Sequence, residues 1–377
     1  MRAYLCFIAL LITIPLLASE LPVDSTRLPV SDTVVVDTLL STQAEPRKMN
    51  IMRKTIRDLD RMDNDYIEPM HYEFAVQLGA TRNYENFVIS SNGQSVRLAP
   101  DQPIKVGPYF GWRWIFLGWT FDLRNISFTG NGSKREFDIS IYTSKVGVDL
   151  VYRRTGNDYK LRELRMGNNL DGGRLEGMPF SGVNVGITGV STYYIFNHKR
   201  FSYPAAFSPG ACQKVSCGSW MAGTGYMVNT INLDFDQLKS TIERGFGHEQ
   251  EVELDSGLMF NKIKYHDFSL SGGYAYNWVF ATNWLFCASA QLALAYKTSY
   301  GNTTEESKGF SFHKVNPDGI GRFALVYNNT RWYSGATFIL RTNNYHTSRF
   351  KANNMFGSLN AFIGYNFKLK KRYRNRK

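Results

Sequence analysis

The sequence predicts an all-β protein, a closed antiparallel β-barrel of the transmembrane type with about twelve strands and a short N-terminal helix. Three observations predict it. Aromatic residues make up 15% of the 377-residue chain and glycines number 32, while charged residues are only 20%. That mix excludes intrinsic disorder, which needs few aromatics and many charges. Mean hydropathy is −0.30, too polar for a bundle of membrane helices but suited to strands of which one face alone meets lipid. From Tyr72 onward, apolar residues recur at a period of two. Four cysteines are too few for a disulfide scaffold.

The N-terminus sets the compartment. Arg2 precedes an uncharged run from Ala3 to Ala18, and the small residues Ala18 and Ser19 then meet Glu20. A basic start, a short apolar core and small residues at the cut predict a signal peptide over residues 1–19. An uncleaved anchor is the alternative, although the run is short for a span. Cys6 leaves with the signal, so Cys212, Cys217 and Cys287 remain. An odd number gives no disulfide framework, and pairing of Cys212 with Cys217 stays open.

Residues 20–45 are rich in Ser, Thr, Asp and Pro and lack aromatics, which predicts a flexible periplasmic linker. Its triplets Asp24-Ser25-Thr26, Asp32-Thr33-Val34 and Asp37-Thr38-Leu39 resemble acceptors of a periplasmic O-glycosylation system, though ordinary polar linker composition accounts for them too. After Pro46, the residues Met49, Met52, Ile56, Leu59 and Met62 recur at spacings of three and four among Arg and Lys. That pattern predicts an amphipathic helix over 46–66. It would lie on anionic lipid or cap the next domain.

The barrel is expected over 67–368. Tyr72, Phe74, Val76, Leu78 and Ala80 open the alternation. After the Asn92-Gly93 turn signal, Val106, Pro108, Phe110 and Trp112 continue it, followed by Ile115, Leu117, Trp119, Phe121 and Leu123. Phe137, Ile139 and Ile141 begin a strand whose phase slips near Thr143–Lys145 and resumes at Val146, Val148, Leu150 and Tyr152. A bulge there would keep both halves on one face. Val183, Val185, Ile187, Tyr193 and Ile195 follow, then Trp220, Ala222, Tyr226 and Val228. Two further strands are ambiguous, around Tyr84–Ser90 and Tyr159–Met166.

Between Asp267 and Lys297 there is no charge at all, and a hydropathy window reads a membrane helix. The phase reads a hairpin. Phe268, Leu270, Tyr274, Tyr276, Trp278 and Phe280 hold even positions, with Ser, Gly, Ala and Asn on the odd ones. After a turn near Thr282-Asn283, the even series resumes as Trp284, Phe286, Ala288, Leu292, Leu294 and Tyr296. A helix would spread these residues around all sides, whereas two strands sort them onto one face. The last strands are read at Phe323–Tyr327, Trp332–Leu340 and Met355–Phe367, with a turn at Asn328-Asn329 and a basic tail over 369–377.

Alternation alone also fits a soluble barrel. The off-phase residues decide between them. They are Gly, Ser, Ala, Asn, Gln and a few basic residues, whereas a soluble exterior carries about a quarter to a third charged residues. Tryptophans gather toward strand ends (Trp112, Trp114, Trp119, Trp278, Trp284, Trp332), as interfacial girdles require. Lys105, Arg113, Arg124, Arg153, Arg322 and Arg341 fall in the lumen-facing phase. They would favour anionic solutes, anchor lipopolysaccharide phosphates, or pair with Glu73, Asp122 and Asp149 and fill the lumen.

No G-x-S-x-G elbow, H-E-x-x-H or P-loop is present. The six histidines are scattered, and His198 near Ser202 and His266 near Ser269 are the only local Ser/His candidates. No catalytic residue, cofactor or metal is expected. Nor is nucleic acid expected as a partner of an exported chain; outer-membrane lipids are, and the chain is expected to be a monomer.

At GPYFGWRWIFLGWTFDL (Gly107–Leu123) the chain resembles an uncharacterised family of Gram-negative outer-membrane-like proteins, classed only as a domain of unknown function. DNDYIEP (Asp63–Pro69), YPAAFS (Tyr203–Ser208) with SCGSW (Ser216–Trp220), and GYAYNWVFATNWL (Gly273–Leu285) carry the same resemblance over nearly the whole chain after the linker. The resemblance implies a barrel-type outer-membrane protein and brings no activity, ligand or catalytic residue. The expected role is structural, narrow-pore or surface-binding. The alternatives are a lipid-modifying hydrolase or acyltransferase, and a soluble periplasmic barrel that binds a small apolar ligand.

Overall fold

The computed structural model describes residues 62–112, 115–118, 121–123, 135–154, 159–166, 172–208, 210–246, 254–255, 258, 262–300, 315–346 and 350–374. The expected signal peptide, the linker and helix positions 46–61 lie outside them. Residues 62–66 correct the end of that helix, because Asn64–Tyr66 form a turn. Asp65 N–H donates to the Asp63 carboxylate at 3.1 Å, a local bond that competes with helix formation.

In chain order the strands are β1 (Ile67–Pro69), β2 (Tyr72–Ser91), β3 (Gln94–Pro100), β4 (Ile104–Trp112), β5 (Ile115–Gly118), β6 (Phe121–Asp122), β7 (Arg135–Tyr142), β8 (Val146–Arg154), β9 (Tyr159–Arg165), β10 (Pro179–Phe180), β11 (Val183–Ile195), β12 (Ala211–Gln213), β13 (Cys217–Leu233), β14 (Lys262–Ala281), β15 (Trp284–Tyr300), β16 (Val315–Asn328), β17 (Trp332–His346) and β18 (Lys351–Leu369). The described residues also form the α-helices α1 (Tyr203–Phe207), α2 (Phe235–Phe246) and α3 (Lys371–Arg374) and a 3-10 turn at Gly172–Leu175. None is long and apolar enough to cross a membrane, which says nothing of strands.

Sixteen strands form one antiparallel sheet in the order β10-β9-β3-β2-β18-β17-β16-β15-β14-β13-β11-β8-β7. β4 lies beside the first half of β2 and carries β5 and β6, while β1 and β12 pair separately. The expected all-β antiparallel wall is present; its described strands number more than about twelve, and their pairings do not complete a ring. Among the described residues no pairing joins β5 or β6 to β7. The extra strands have a local cause. β2 runs for 20 residues, and the Asn92-Gly93 turn, with φ of 43° and 82°, folds β3 back onto its second half. β9 and β10 then extend this flap. The ambiguous segment Tyr84–Ser90 is the continuation of β2, and Tyr159–Met166 contains β9.

The phase slip at Thr143–Lys145 is a turn between two strands rather than a bulge. Thr143 N–H donates to the Val146 carbonyl at 3.0 Å, and β7 pairs antiparallel with β8. The uncharged stretch is the expected hairpin, with Phe268 opposite Tyr296 and Trp278 opposite Phe286. Its turn holds Asn283 at φ 65°.

Side chains from distant places in the sheet meet inside it. Asp149 on β8 reaches Arg322 on β16 at 2.6 Å, and Arg153 on β8 lies 5.1 Å from the Phe356 ring on β18. The sheet thus curls around an interior. Along β14 from Phe268 to Phe280 the large outward residues are apolar or aromatic, with Leu270 71% exposed, while inward Ala275 and Asn277 are fully buried. Aromatic pairs ring the tight-turn end: Phe74 with Phe367, Trp332 with Tyr365, Trp284 with Tyr327, and Trp278 with Phe280.

The interior is packed in three tiers. At the loop end β3, β9, β10 and α2 surround an apolar core that includes Phe87, Leu98, Leu161, Phe180 and Ile242. Charged and polar groups occupy the middle. At the turn end the segment around α1 seats Tyr203 among Tyr142, Tyr193 and Phe201. Ala205 and Ala206 rest against Leu285, Cys287 and Val326.

Glycines let rings from the next strand lie flat on the inner face. Gly147 is the register partner of Tyr193, and a Cβ there would collide with the Tyr193 ring. Gly147→Val is expected to destabilise by about 1–3 kcal/mol through overpacking. Gly272→Ala, where a Cβ meets nothing, should stay within about 0.5 kcal/mol. Urea midpoints of the refolded variants check this, and equal midpoints would refute the ring-on-glycine contact.

Candidate functional site

The sheet presents charges at its centre because the inward phase carries them there. Asp149 Oδ2 accepts from Arg322 Nη2 at 2.6 Å and from Arg341 Nη2 at 2.9 Å. Ser140 Oγ donates to the other carboxylate oxygen at 2.6 Å. The Arg322 guanidinium lies over the Tyr193 ring at 5.1 Å. Arg322 is fully buried, and its Nε and Nη1, with Arg341 Nη1, have no hydrogen-bond partner among the described residues.

A second cluster holds the opposite balance. Lys297 Nζ lies 2.9 Å from Asp318, 3.4 Å from Asp267 and 2.7 Å from the Asn344 carbonyl. Asn344 N–H donates to Asp318 at 2.7 Å. Two guanidiniums share one carboxylate in the first cluster, and two carboxylates share one ammonium in the second. The clusters face each other across a cavity of about 30 Å³, lined also by Tyr193, Gln291 and Asn343. Such a volume holds water and no larger solute. The paired charges complement each other at close range, which buried charges require.

Of the six basic positions read from the sequence, Arg322 and Arg341 come together on Asp149. Arg153 is buried on the same face against Phe356. Lys105 is half-buried and sits in register with Asp122. Arg113 and Arg124 lie outside the described residues. Glu73 reaches Lys368 at 3.4 Å. Sequence reading missed Asp267, Lys297 and Asp318. The signal was the uncharged stretch itself, whose two bracketing charges, Asp267 and Lys297, are register partners.

The Ser/His candidates do not assemble. His198 Nδ1 is 3.2 Å from the Ile195 carbonyl, and Ser202 Oγ accepts from Ala205 N–H at 3.2 Å as the cap of α1. His266 Nδ1 meets the Tyr226 hydroxyl at 2.7 Å on the outer face, while the phase sends Ser269 inward. Among the described residues no group of three His, Cys, Asp or Glu is placed to hold a metal. Cys212, Cys217 and Cys287 are free thiols, which resolves the open pairing of Cys212 with Cys217. Burial pushes the Cys212 thiol up to about 12.

The turn end is blocked by the segment bearing α1. Tyr203 Oη donates to Ser289 at 2.8 Å, and Asn277 Nδ2 donates to the Ser202 carbonyl at 2.9 Å. Gln213 Nε2 donates to the Arg200 carbonyl at 2.7 Å. A cavity of about 450 Å³ remains at this mouth, between Glu68, Lys214, Phe280 and Asn328.

Residues 61–367 match the model of a family described as a domain of unknown function, DUF4421. No curated protein matches the chain. Among solved structures, the outer membrane protease OmpT from Escherichia coli is similar at 6% identity and TM-score 0.34, over 81% of this chain and 100% of that one. The translocator domain of the autotransporter NalP from Neisseria meningitidis is similar at 10% identity and TM-score 0.32, over 85% and 95%. The outer membrane protein OprG from Pseudomonas aeruginosa is similar at 10% identity and TM-score 0.24, over 79% and 98%. Likenesses this weak convey neither activity nor ligand.

Proposed function

The chain belongs to the DUF4421 family, a domain of unknown function, and for this member we propose an outer-membrane β-barrel, closed around a filled interior, with a structural or surface-binding role. One observation carries the reading, the inverted alternation. Leu270, Leu292, Leu294, Trp220 and Trp278 stand exposed on the outer face, while Asp149, Lys297 and Arg322 are buried inside. In water this arrangement exposes a large apolar patch and invites aggregation. In a bilayer both faces are satisfied. The span from Phe268 to Phe280, at about 3.4 Å per residue and about 40° tilt, is about 30 Å tall, which matches a hydrocarbon core. Closure belongs to the same reading, because an open edge inside lipid leaves backbone groups unpaired.

The paired charges at the centre, the apolar core above and the α1 segment below favour a sealed lumen over a pore. The test is membrane fractionation with heat-modifiable gel mobility, followed by planar-bilayer recording. Recovery in the outer-membrane fraction, a mobility shift on boiling and no current above the lipid baseline are expected. Recovery in the soluble periplasm would overturn the membrane reading, and stepwise conductance would overturn the sealed lumen.

A further inference from the structure

The outer face carries a basic row immediately above its apolar belt. Strand register places Arg154 on β8, Gly186 on β11, Thr230 on β13 and Lys264 on β14 in one line across the sheet. Arg154 and Lys264 are exposed, as is Lys262, two residues further toward the loop end of β14. None of the three forms an ion pair among the described residues, and no carboxylate occupies the line between them. The lower rows turn aromatic at once. Tyr152 stands two residues below Arg154, and Tyr226 meets Phe268 with ring centroids 4.7 Å apart. The order from loop end to turn end is therefore basic, then aromatic, then aliphatic at Leu270 and Leu292.

That sequence of chemistries is the profile of one leaflet, from headgroup phosphates through the interface to acyl chains. The connections from β8 to β11, β13 to β14 and β15 to β16 leave from this end, whereas the short turns at Thr143-Ser144, Thr282-Asn283 and Asn329 lie at the other, together with the α1 segment between β11 and β13. In bacterial barrels the longer loops face the exterior. Arg154 and Lys264 sit three strand spacings apart, about 14 Å. One phosphate cannot touch both, so the spacing suits a headgroup that carries two. Gly186 and Thr230 keep the floor between them low.

We propose that Arg154, Lys262 and Lys264 bind the phosphates of a diphosphorylated glycolipid in the outer leaflet. This rests on the outer-membrane reading above. The test reconstitutes the full-length protein in phosphatidylcholine nanodiscs, with and without bisphosphoryl lipid A, and counts bound lipid by native mass spectrometry. Retention of the phosphorylated lipid is expected, and the Arg154→Gln/Lys262→Gln/Lys264→Gln variant should bind it about a hundredfold more weakly, at about fivefold per charge. Lys264→Arg should keep the affinity. Lipid A stripped of its phosphates should bind like the triple variant, and inorganic phosphate should not displace the intact lipid. Displacement by inorganic phosphate would show an anion site rather than a lipid site and would overturn the proposal. So would equal binding of stripped and phosphorylated lipid by inserted, heat-modifiable protein, which would leave the membrane reading intact. Failure to insert would overturn both.

Discussion

Asp149→Ala is expected to destabilise the folded protein by about 3–5 kcal/mol, the largest effect of any single change considered. Asp149 is 1% exposed and is the only carboxylate that the fully buried Arg322 and nearly buried Arg341 share among the described residues. Removing it leaves two adjacent guanidiniums without a counter-charge. Arg322 already has an unpartnered Nε and Nη1, so no spare acceptor is at hand. The pair need not be stabilising in itself. Replacing buried ion pairs by apolar residues of similar volume is often neutral or favourable. Asp149→Leu/Arg322→Met/Arg341→Met should therefore recover most of the loss that Asp149→Ala alone produces. Urea unfolding in phospholipid vesicles, followed by heat-modifiable mobility, reads both variants. A loss below about 0.5 kcal/mol for Asp149→Ala would show that the cluster is not a closed electrostatic unit.

The same comparison separates a sealed interior from a conducting one. If the charged tier only fills space, the apolar triple variant should fold and remain silent in a planar bilayer. Charges lining a path would change current when removed, and a filled core gives no current in either form.

The wall of this fold was legible where outward and inward residues differ most in kind. In β14 and β15 the even positions hold Phe, Leu, Tyr and Trp and the odd ones Ser, Gly, Ala and Asn, so period and facing could be read together. The flap was not. In β3 the inward residues are Val96 and Leu98, as in a soluble protein, because the apolar core lies at this level. The sense of the alternation reverses along the length of β2, and a reading that assumes one sense loses the strands beyond the belt. The α1 segment has no period, so its place in the interior was hidden. The charged tier was hidden for another reason. Asp149 and Arg322 are 173 residues apart, and phase can say that both point inward but not that they meet. The uncharged stretch marked its own ends, yet only pairing between β14 and β15 puts Asp267 opposite Lys297.

Leu292→Arg is expected to cost about 2–4 kcal/mol of folding free energy in a bilayer, because it sets a cation near the middle of the apolar belt. Leu292 is 77% exposed, the most exposed large apolar residue among the described residues, and lies opposite Gly272. Little side-chain packing is lost there, so the effect isolates the solvent that the outer face meets. Tyr296→Arg, beside Phe268 at the upper edge of the belt, should cost only about 0–1 kcal/mol, since the penalty falls toward the interface. The same two substitutions have the opposite order in water. On a soluble surface Leu292→Arg removes an exposed apolar residue and is neutral or improves solubility, with no dependence on depth. Folding both variants into vesicles and comparing urea midpoints decides the matter. A large loss at Leu292 with a small one at Tyr296 is the pattern of a lipid-facing wall. Equal and negligible changes would place the outer face in water and remove the ground for an outer-membrane barrel.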